Sequence, residues 1–399
     1  MRSNNIRFLF LMLVLVAGCG GSGGGSSSNP APTPNVVNNV LPLTINGSLC
    51  STINSVGYYN KPCVSVTVCT AGTSTCQTIN DILLDTGSSG LRIFKQVLSV
   101  SLVQATVGSG SLAECIQYVD GSSNWGPVQK AGVILGTEPA VQVPIQVIDP
   151  TFGGIPATCT NATQSPVDTG YNGILGVSPF VQDCGSGCAN SAANSMYYSC
   201  NGASCIGVAV PLSSQVQNPV ALLPQDNNGV IVQLPAVALG GVTSVNGSLI
   251  LGIGTQSNNS PSQVTVYPTD QYGEFTTKFN GISYSSFIDT GSNGLFFASP
   301  SKTTLPNCPY PNDSWFCPLT TTSLTATNAG AFGSPSGTVS FQIGNFNSLA
   351  SSSNNVFVEI GGNDSQEFDW GLPFNFGRNI YYGIEGTKSS LGTGPYFAY

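Results

Sequence analysis

Histidine is absent from all 399 residues of this chain. Serine or cysteine hydrolysis that depends on a histidine base is therefore excluded. Charge is also scarce, at 7% of residues, and cations are scarcer than acids: ten Lys and Arg against 18 Asp and Glu. Two of the arginines, Arg2 and Arg7, precede the first apolar run, so the remainder of the chain carries eight cations and a net charge of −10. Nucleic acid, which is held through clustered positive charge, is not an expected partner. Carboxylates with few partner cations also mean that few must be protonated before the fold tolerates acid. No long amphipathic helix is evident. Gly, Ser, Asn and Thr occupy the surface positions that Lys and Glu usually fill, a palette that suits short strands and many turns. An all-β protein is expected.

No apolar run reaches the ~20 residues that a membrane-spanning helix requires. The run Phe8 to Ala17 is shorter, follows two arginines, and ends in Val16-Ala17-Gly18-Cys19. Small residues behind a short apolar core read as a secretory signal over residues 1–18. The terminal cysteine resembles the bacterial lipobox, which implies acylation of Cys19 and a membrane partner reached through that lipid. A plain signal peptide with an incidental Cys19 is the alternative. Gly20 stands where an inner-membrane retention signal places Asp, so the resemblance implies an outer-membrane lipoprotein of the bacterial cell envelope, its soluble body in the periplasm or at the cell surface. Residues 19–40 are a Gly/Ser/Pro-rich tether. Its glycines are no phosphate loop, because no strand precedes them and no Lys or helix follows.

Thirteen cysteines less Cys19 leave twelve, an even number in a compartment where disulfides persist. Up to six bridges are expected. Cys69 with Cys76 and Cys308 with Cys317 each close a short loop. Cys184, Cys188, Cys200 and Cys205 form a local cluster of open connectivity, in a loop-rich insertion over residues 183–207, where a zinc site is the competing idea.

Two stretches of the chain are near copies. Leu84-Asp85-Thr86-Gly87-Ser88-Ser89-Gly90-Leu91 and Ile288-Asp289-Thr290-Gly291-Ser292-Asn293-Gly294-Leu295 agree at six of the seven positions from the Asp onward, and lie 204 residues apart. Each aspartate follows an apolar, strand-like run and enters a glycine-containing turn. Gly87 and Gly291 let the backbone pass closely beside each carboxylate. A third Asp-Thr-Gly, at Asp168, follows Pro166 and precedes Tyr171 without apolar flanks, and reads as a turn.

This pattern resembles the pepsin family of aspartic peptidases. The likeness runs patchily from Leu41 to Tyr399, is specific at the two Asp turns and weaker elsewhere. It implies a bilobed fold of two related β-barrel lobes, residues 41–245 and 246–399, with a cleft between them and a boundary somewhere between about 235 and 262. It implies that Asp85 and Asp289 meet as the catalytic pair, that Thr86 and Thr290 bond across the lobe interface, and that Ser88 and Ser292 bond the outer carboxylate oxygens. Gln117-Tyr118-Val119-Asp120-Gly121-Ser122-Ser123 resembles the substrate-binding flap, with Tyr118 as its tyrosine and Asp120 and Gly121 at its tip; an ordinary strand tyrosine is the plainer account of Tyr118. Gly173-Ile174-Leu175-Gly176 and Trp370-Gly371-Leu372-Pro373-Phe374 resemble the segments that support each aspartate.

There are departures. Arg92 stands where the family has a tryptophan that partners the flap tyrosine. It is expected either as a strand-edge side chain with its head in solvent or as a fixed positive charge beside the cleft. The tether lacks a basic prosegment, and the spacing from Asp85 to Tyr118 is short for the family. The expected activity is that of a monomeric aspartic endopeptidase acting on a peptide or protein substrate, with no cofactor and no metal. A catalytically silent pepsin-fold binding protein or inhibitor, and a structural envelope lipoprotein, are the alternatives.

Overall fold

A sequence of short β-branched and aromatic runs separated by Gly, Pro and Asn cannot propagate long helices, and the chain is accordingly 44% strand and 8% helix. The computed structural model describes residues 39–51, 57–301, 303–364 and 366–399. The signal-peptide reading of residues 1–18, the acylation of Cys19 and nearly all of the 19–40 tether lie outside them. None of the described helices is long and apolar enough to cross a membrane.

The strands form a closed six-stranded barrel and a half-barrel. Most belong to a 17-stranded hydrogen-bonded network, and seven more form a second sheet. Chain order is interleaved in the larger network. Val245–Leu251 pairs with Val40–Ile45 on one side and with Gly229–Leu234 on the other, and Gly229–Leu234 pairs in turn with Arg378–Gly383. The expected boundary at residue 245 therefore coincides with the start of a strand that bridges early and late sequence. The described residues form one compact unit.

Eight strands position the candidate site: β1 (Cys76–Asp85), β2 (Ser89–Phe94), β3 (Gly110–Gln117), β4 (Ser123–Ile134), β5 (Gly173–Val177), β6 (Ile282–Ile288), β7 (Leu295–Phe297) and β8 (Glu367–Trp370). The first half of β1 alternates between exposed and buried residues, as a strand with one wet face does. Its last five residues, Asp81 to Asp85, are all buried, the signature of a strand covered on both faces. The core around the second Asp turn is aromatic: Phe297 stacks on Phe368 at 5.0 Å between ring centroids, and Phe368 packs on Trp370 at 4.5 Å.

All twelve described cysteines are paired. Cys69–Cys76 and Cys308–Cys317 form as expected. The local cluster resolves into Cys184–Cys188 and Cys200–Cys205, disulfides rather than thiolate ligands. Cys50–Cys63 and Cys115–Cys159 complete the set. The insertion is more ordered than its composition suggests. It holds a helical turn, Ser186–Asn190, and a hairpin, Tyr197–Asn201 with Ser204–Gly207, that extends the sheet beside β3. The third Asp-Thr-Gly closes a helical turn, Pro166–Thr169, capped by Gly170 in the left-handed region.

Candidate active site

Each Asp turn is built from the same three-strand unit. β5 runs parallel to β1 and antiparallel to β2, placing Gly176 opposite both Asp85 and Gly90. β8 runs parallel to β6 and antiparallel to β7, and the Asp289 amide donates to the Trp370 carbonyl. The supporting glycines are steric necessities. A Cβ on Gly176 would lie 2.7 Å from the Ser88 carbonyl oxygen, and one on Gly371 2.0 Å from that of Gly294. The segments expected to support the two aspartates occupy equivalent places in the two units.

The turns bring Asp85 and Asp289 together, with a hydrogen bond between their carboxyls. A Cβ on Gly87 would lie 2.7 Å from Asp289 Cγ, and one on Gly291 2.9 Å from Asp85 Oδ1, so neither position accepts a side chain. Asp85 Oδ1 accepts from the Gly87 amide at 2.8 Å and the Ser88 amide at 3.1 Å, while the Ser88 hydroxyl donates to Oδ2. Asp289 Oδ1 accepts from the Gly291 amide at 2.7 Å and the Gly87 amide at 3.1 Å, and Ser292 Oγ donates to Oδ2 at 2.9 Å. The threonines lock the two turns to each other. The Thr86 amide donates to Thr290 Oγ1 and the Thr290 amide to Thr86 Oγ1, at 3.1 and 2.9 Å. Each hydroxyl then donates onward across the junction, Thr86 to the Ile288 carbonyl and Thr290 to that of Leu84. These four buried bonds fix the spacing of the two carboxyls. Burial, then the charges of Asp85 and Asp369 and the bond to Asp85, push the Asp289 carboxyl well above the usual carboxylate range, against a smaller opposing effect of the Gly291 amide.

β3 and β4 form a hairpin over the pair, with the turn Tyr118 to Ser122 at its tip. Gly121 adopts φ 82° there, and Asp120 Oδ1 accepts from the Ser122 amide and hydroxyl. Tyr118 borders the cleft, and its hydroxyl accepts from Asn124 Nδ2 at 3.0 Å. Asn124 is itself buried, its side chain accepting from Thr163 Oγ1 and its carbonyl from Gln146. This anchor for the flap tyrosine had no motif to announce it.

Arg92 corrects both of its expectations. It is 0% exposed, so its head is not in solvent. Nor is it a free positive charge, because its Nη2 lies 2.8 Å from Glu114 and 2.8 Å from Asp183, and Nη1 donates to the Ser89 carbonyl. Burial disfavours the cation, but Glu114, Tyr118 and Asp183 outweigh it and raise the guanidinium pKa. Asp183 is pushed well above its ordinary value by burial and by Glu114, with which it shares a hydrogen bond, despite Arg92. Two carboxyls on one guanidinium mean that the cluster presents no net cation to the cleft.

The cleft over the aspartates has a volume of about 720 Å³, and Tyr58, Tyr118, Tyr171 and Phe296 line it beside the pair. Burial and the nearby carboxyls keep the phenols of Tyr58 and Tyr171 protonated. Tyr58 comes from a segment bound to the second Asp turn: Asn60 Nδ2 donates to the Asn293 carbonyl, and Asn293 Nδ2 to that of Tyr59. Asp369, the residue before the second supporting segment, is a further buried carboxyl near Asp289.

A family described as a protein of unknown function (DUF3443) matches residues 35–399 of the chain. No curated protein matches it.

Proposed function

The chain belongs to the DUF3443 family, and we propose that it is an aspartic endopeptidase of bilobed, pepsin-like architecture. The observation that carries this reading is the pair of facing carboxyls, Asp85 and Asp289, held by reciprocal Thr86–Thr290 bonds under a hairpin that ends in Tyr118. Carboxyls in contact disfavour double ionisation, so one is protonated while the other is ionised. The ionised member removes a proton from water as the water oxygen bonds to the substrate carbonyl carbon. The protonated member gives its proton to the carbonyl oxygen, forming a tetrahedral diol. The carboxyl that took the water proton then passes it to the amide nitrogen. One diol hydroxyl returns its proton to the other carboxyl as the C–N bond breaks, and the pair again holds one proton.

A soluble body tethered through acylated Cys19 in the bacterial envelope would meet unfolded or flexible protein segments, the substrates that fit an open cleft. The purified, disulfide-intact protein is expected to cleave an unfolded protein at acidic pH and to be blocked by a statine-type transition-state mimic. Asp85→Asn and Asp289→Asn should each abolish cleavage, since either change removes one of the two proton partners. No cleavage from pH 3 to 7, together with mimic binding no tighter than that of Asp85→Asn, would make this a silent pepsin-like fold that binds without cutting.

A further inference from the structure

Residues 58–61 tie the two Asp turns together a second time, beyond the threonine lock. Lys61 is fully buried, and its Nζ lies 2.6 Å from Asp81 Oδ1, on β1 four residues before Asp85. Asn60 is fully buried too, and its Nδ2 donates at 2.9 Å to the carbonyl of Asn293, four residues after Asp289. The same side chain donates to the Phe357 carbonyl at 2.8 Å and accepts from the Phe357 amide at 2.8 Å. Asn60 holds φ 52°, in the left-handed region that asparagine tolerates better than most residues. Asn293 returns the contact, donating to the Tyr59 carbonyl at 3.2 Å, and the Tyr59 ring packs edge-on against Phe346.

This clasp carries Tyr58 to the cleft. The Tyr58 carbonyl accepts from Asn46 Nδ2 at 2.7 Å, and its ring centroid lies 5.9 Å from Lys61 Nζ. Backbone and ring are thus fixed, while the side chain stays half-buried and borders the space over Asp85 and Asp289. Its hydroxyl has no hydrogen-bond partner among the described residues. The hydroxyls of Ser88 and Ser292, by contrast, already donate to the aspartates. Seven of the described side chains that line the cleft are Asp or Glu, and none is Lys or Arg. Acceptors are plentiful there, and a free donor is scarce.

We propose that Tyr58 is a substrate-binding residue, whose hydroxyl donates a hydrogen bond to a main-chain carbonyl of the peptide laid over Asp85 and Asp289. A peptide backbone offers one N–H and one C=O at each residue other than proline, and both need partners once water is displaced. The acids and carbonyls of the cleft can satisfy its N–H groups. Its carbonyls require donors, and a phenol has one proton to give. Burial, then Tyr171 and the two aspartates, keep that proton on Tyr58. Because the clasp ties residues 58–61 to both Asp turns, the hydroxyl stands at a set place relative to the pair, and the carbonyl it holds is set with it.

The effect on cleavage rests on the endopeptidase reading, but binding can be read without turnover. Tyr58→Phe keeps the ring and its packing and removes only the hydroxyl, so its melting temperature should match the parent's. The Kd of the statine-type mimic should rise about fivefold, the usual worth of one such bond. A series of the mimic in which each carbonyl oxygen in turn is replaced by sulfur, a weaker acceptor, identifies the atom held. One member should bind the parent more weakly than the mimic does and bind Tyr58→Phe no worse, so that the difference between the proteins vanishes there. Peptide cleavage by Tyr58→Phe should show a raised KM at unchanged kcat. Equal Kd values for the two proteins, or a difference that persists through the whole series, overturn the proposal and leave the peptidase reading standing. A parent that does not bind the mimic ends both. The expected pattern in a protein that cuts nothing upholds Tyr58 and makes the cleft a peptide-binding site without hydrolysis.

Discussion

Arg92 shows how a single side chain can carry charge into an interior without offering it to the cleft. Its guanidinium makes three polar contacts, to Glu114, Asp183 and the Ser89 carbonyl, and leaves only Nε without a partner. The fork geometry of arginine is what allows one group to hold two carboxyls. Such a cluster adds little net stability while it is complete, but removing one member strands the rest. Arg92→Met should therefore cost roughly 3–5 kcal/mol, read from the urea midpoint at neutral pH, because Glu114 and Asp183 remain buried without a cation. The loss should shrink in acid, where both carboxyls become neutral. Equal stability of the variant and the parent at neutral pH would mean that the cluster is solvated in solution.

At the scale of elements, the hairpin that carries Tyr118 is held both along its strands and at its tip, where Asn161 Nδ2 donates to the Gly121 carbonyl at 3.1 Å. Cys115 on β3 is bonded to Cys159, the Trp125 indole donates to the Phe152 carbonyl, and Asn124 fixes Tyr118. The disulfide closes 44 residues, the largest loop of the six. Loop-closure entropy for that length is about 4 kcal/mol at 25 °C, and native strain or residual unfolded structure reduces it. The double change Cys115→Ser with Cys159→Ser should destabilise the fold more than the same treatment of Cys184 and Cys188, which close a loop of four. Denaturant midpoints of the two double variants provide the comparison, and the reverse order would show that loop entropy does not govern these bridges.

At the scale of the whole molecule, buried acids outnumber buried cations, and most of the shifted carboxyls are raised. Asp183, Asp289 and Asp369 are raised well above the ordinary carboxylate range, Glu367 is raised, and Glu138 is pushed up to about 7 by burial and by its neighbour Asp226. An acid whose pKa is higher folded than unfolded holds more protons in the folded state. Its contribution is fully present below the unfolded value of about 4 and is lost as pH rises through the folded value. Asp149, lowered chiefly by its bond to Lys95 against the effect of burial, works the other way, and its contribution is lost only in stronger acid. The protein should therefore be more stable near pH 5 than near pH 8. Thermal melts across that range should show the fall, and Glu138→Gln should flatten the part of it centred near pH 7. A melting temperature that climbs from pH 5 to pH 8 would contradict the argument.

What the sequence determined by itself is local. The turn residues around Asp85 and Asp289 state their backbone requirement in glycines, threonines and serines, and apolar runs before each Asp state that the strand is buried. The hairpin around Tyr118 and the short bridges Cys69–Cys76 and Cys308–Cys317 are legible for the same reason: the interacting groups are close in the chain. Tertiary structure alone decided the rest. Glu114 and Asp183 lie 22 and 91 positions from Arg92, so nothing near Arg92 foretold whether its charge would be free or spent. Asp369 lies 80 positions from Asp289, so nothing near either residue foretold that packing would bury a further carboxyl beside that turn. Covalent neighbours dictate which conformations a turn or strand can adopt. Which buried charge meets which, and therefore where the protons rest, depends on distances that exist only after the sheets have packed.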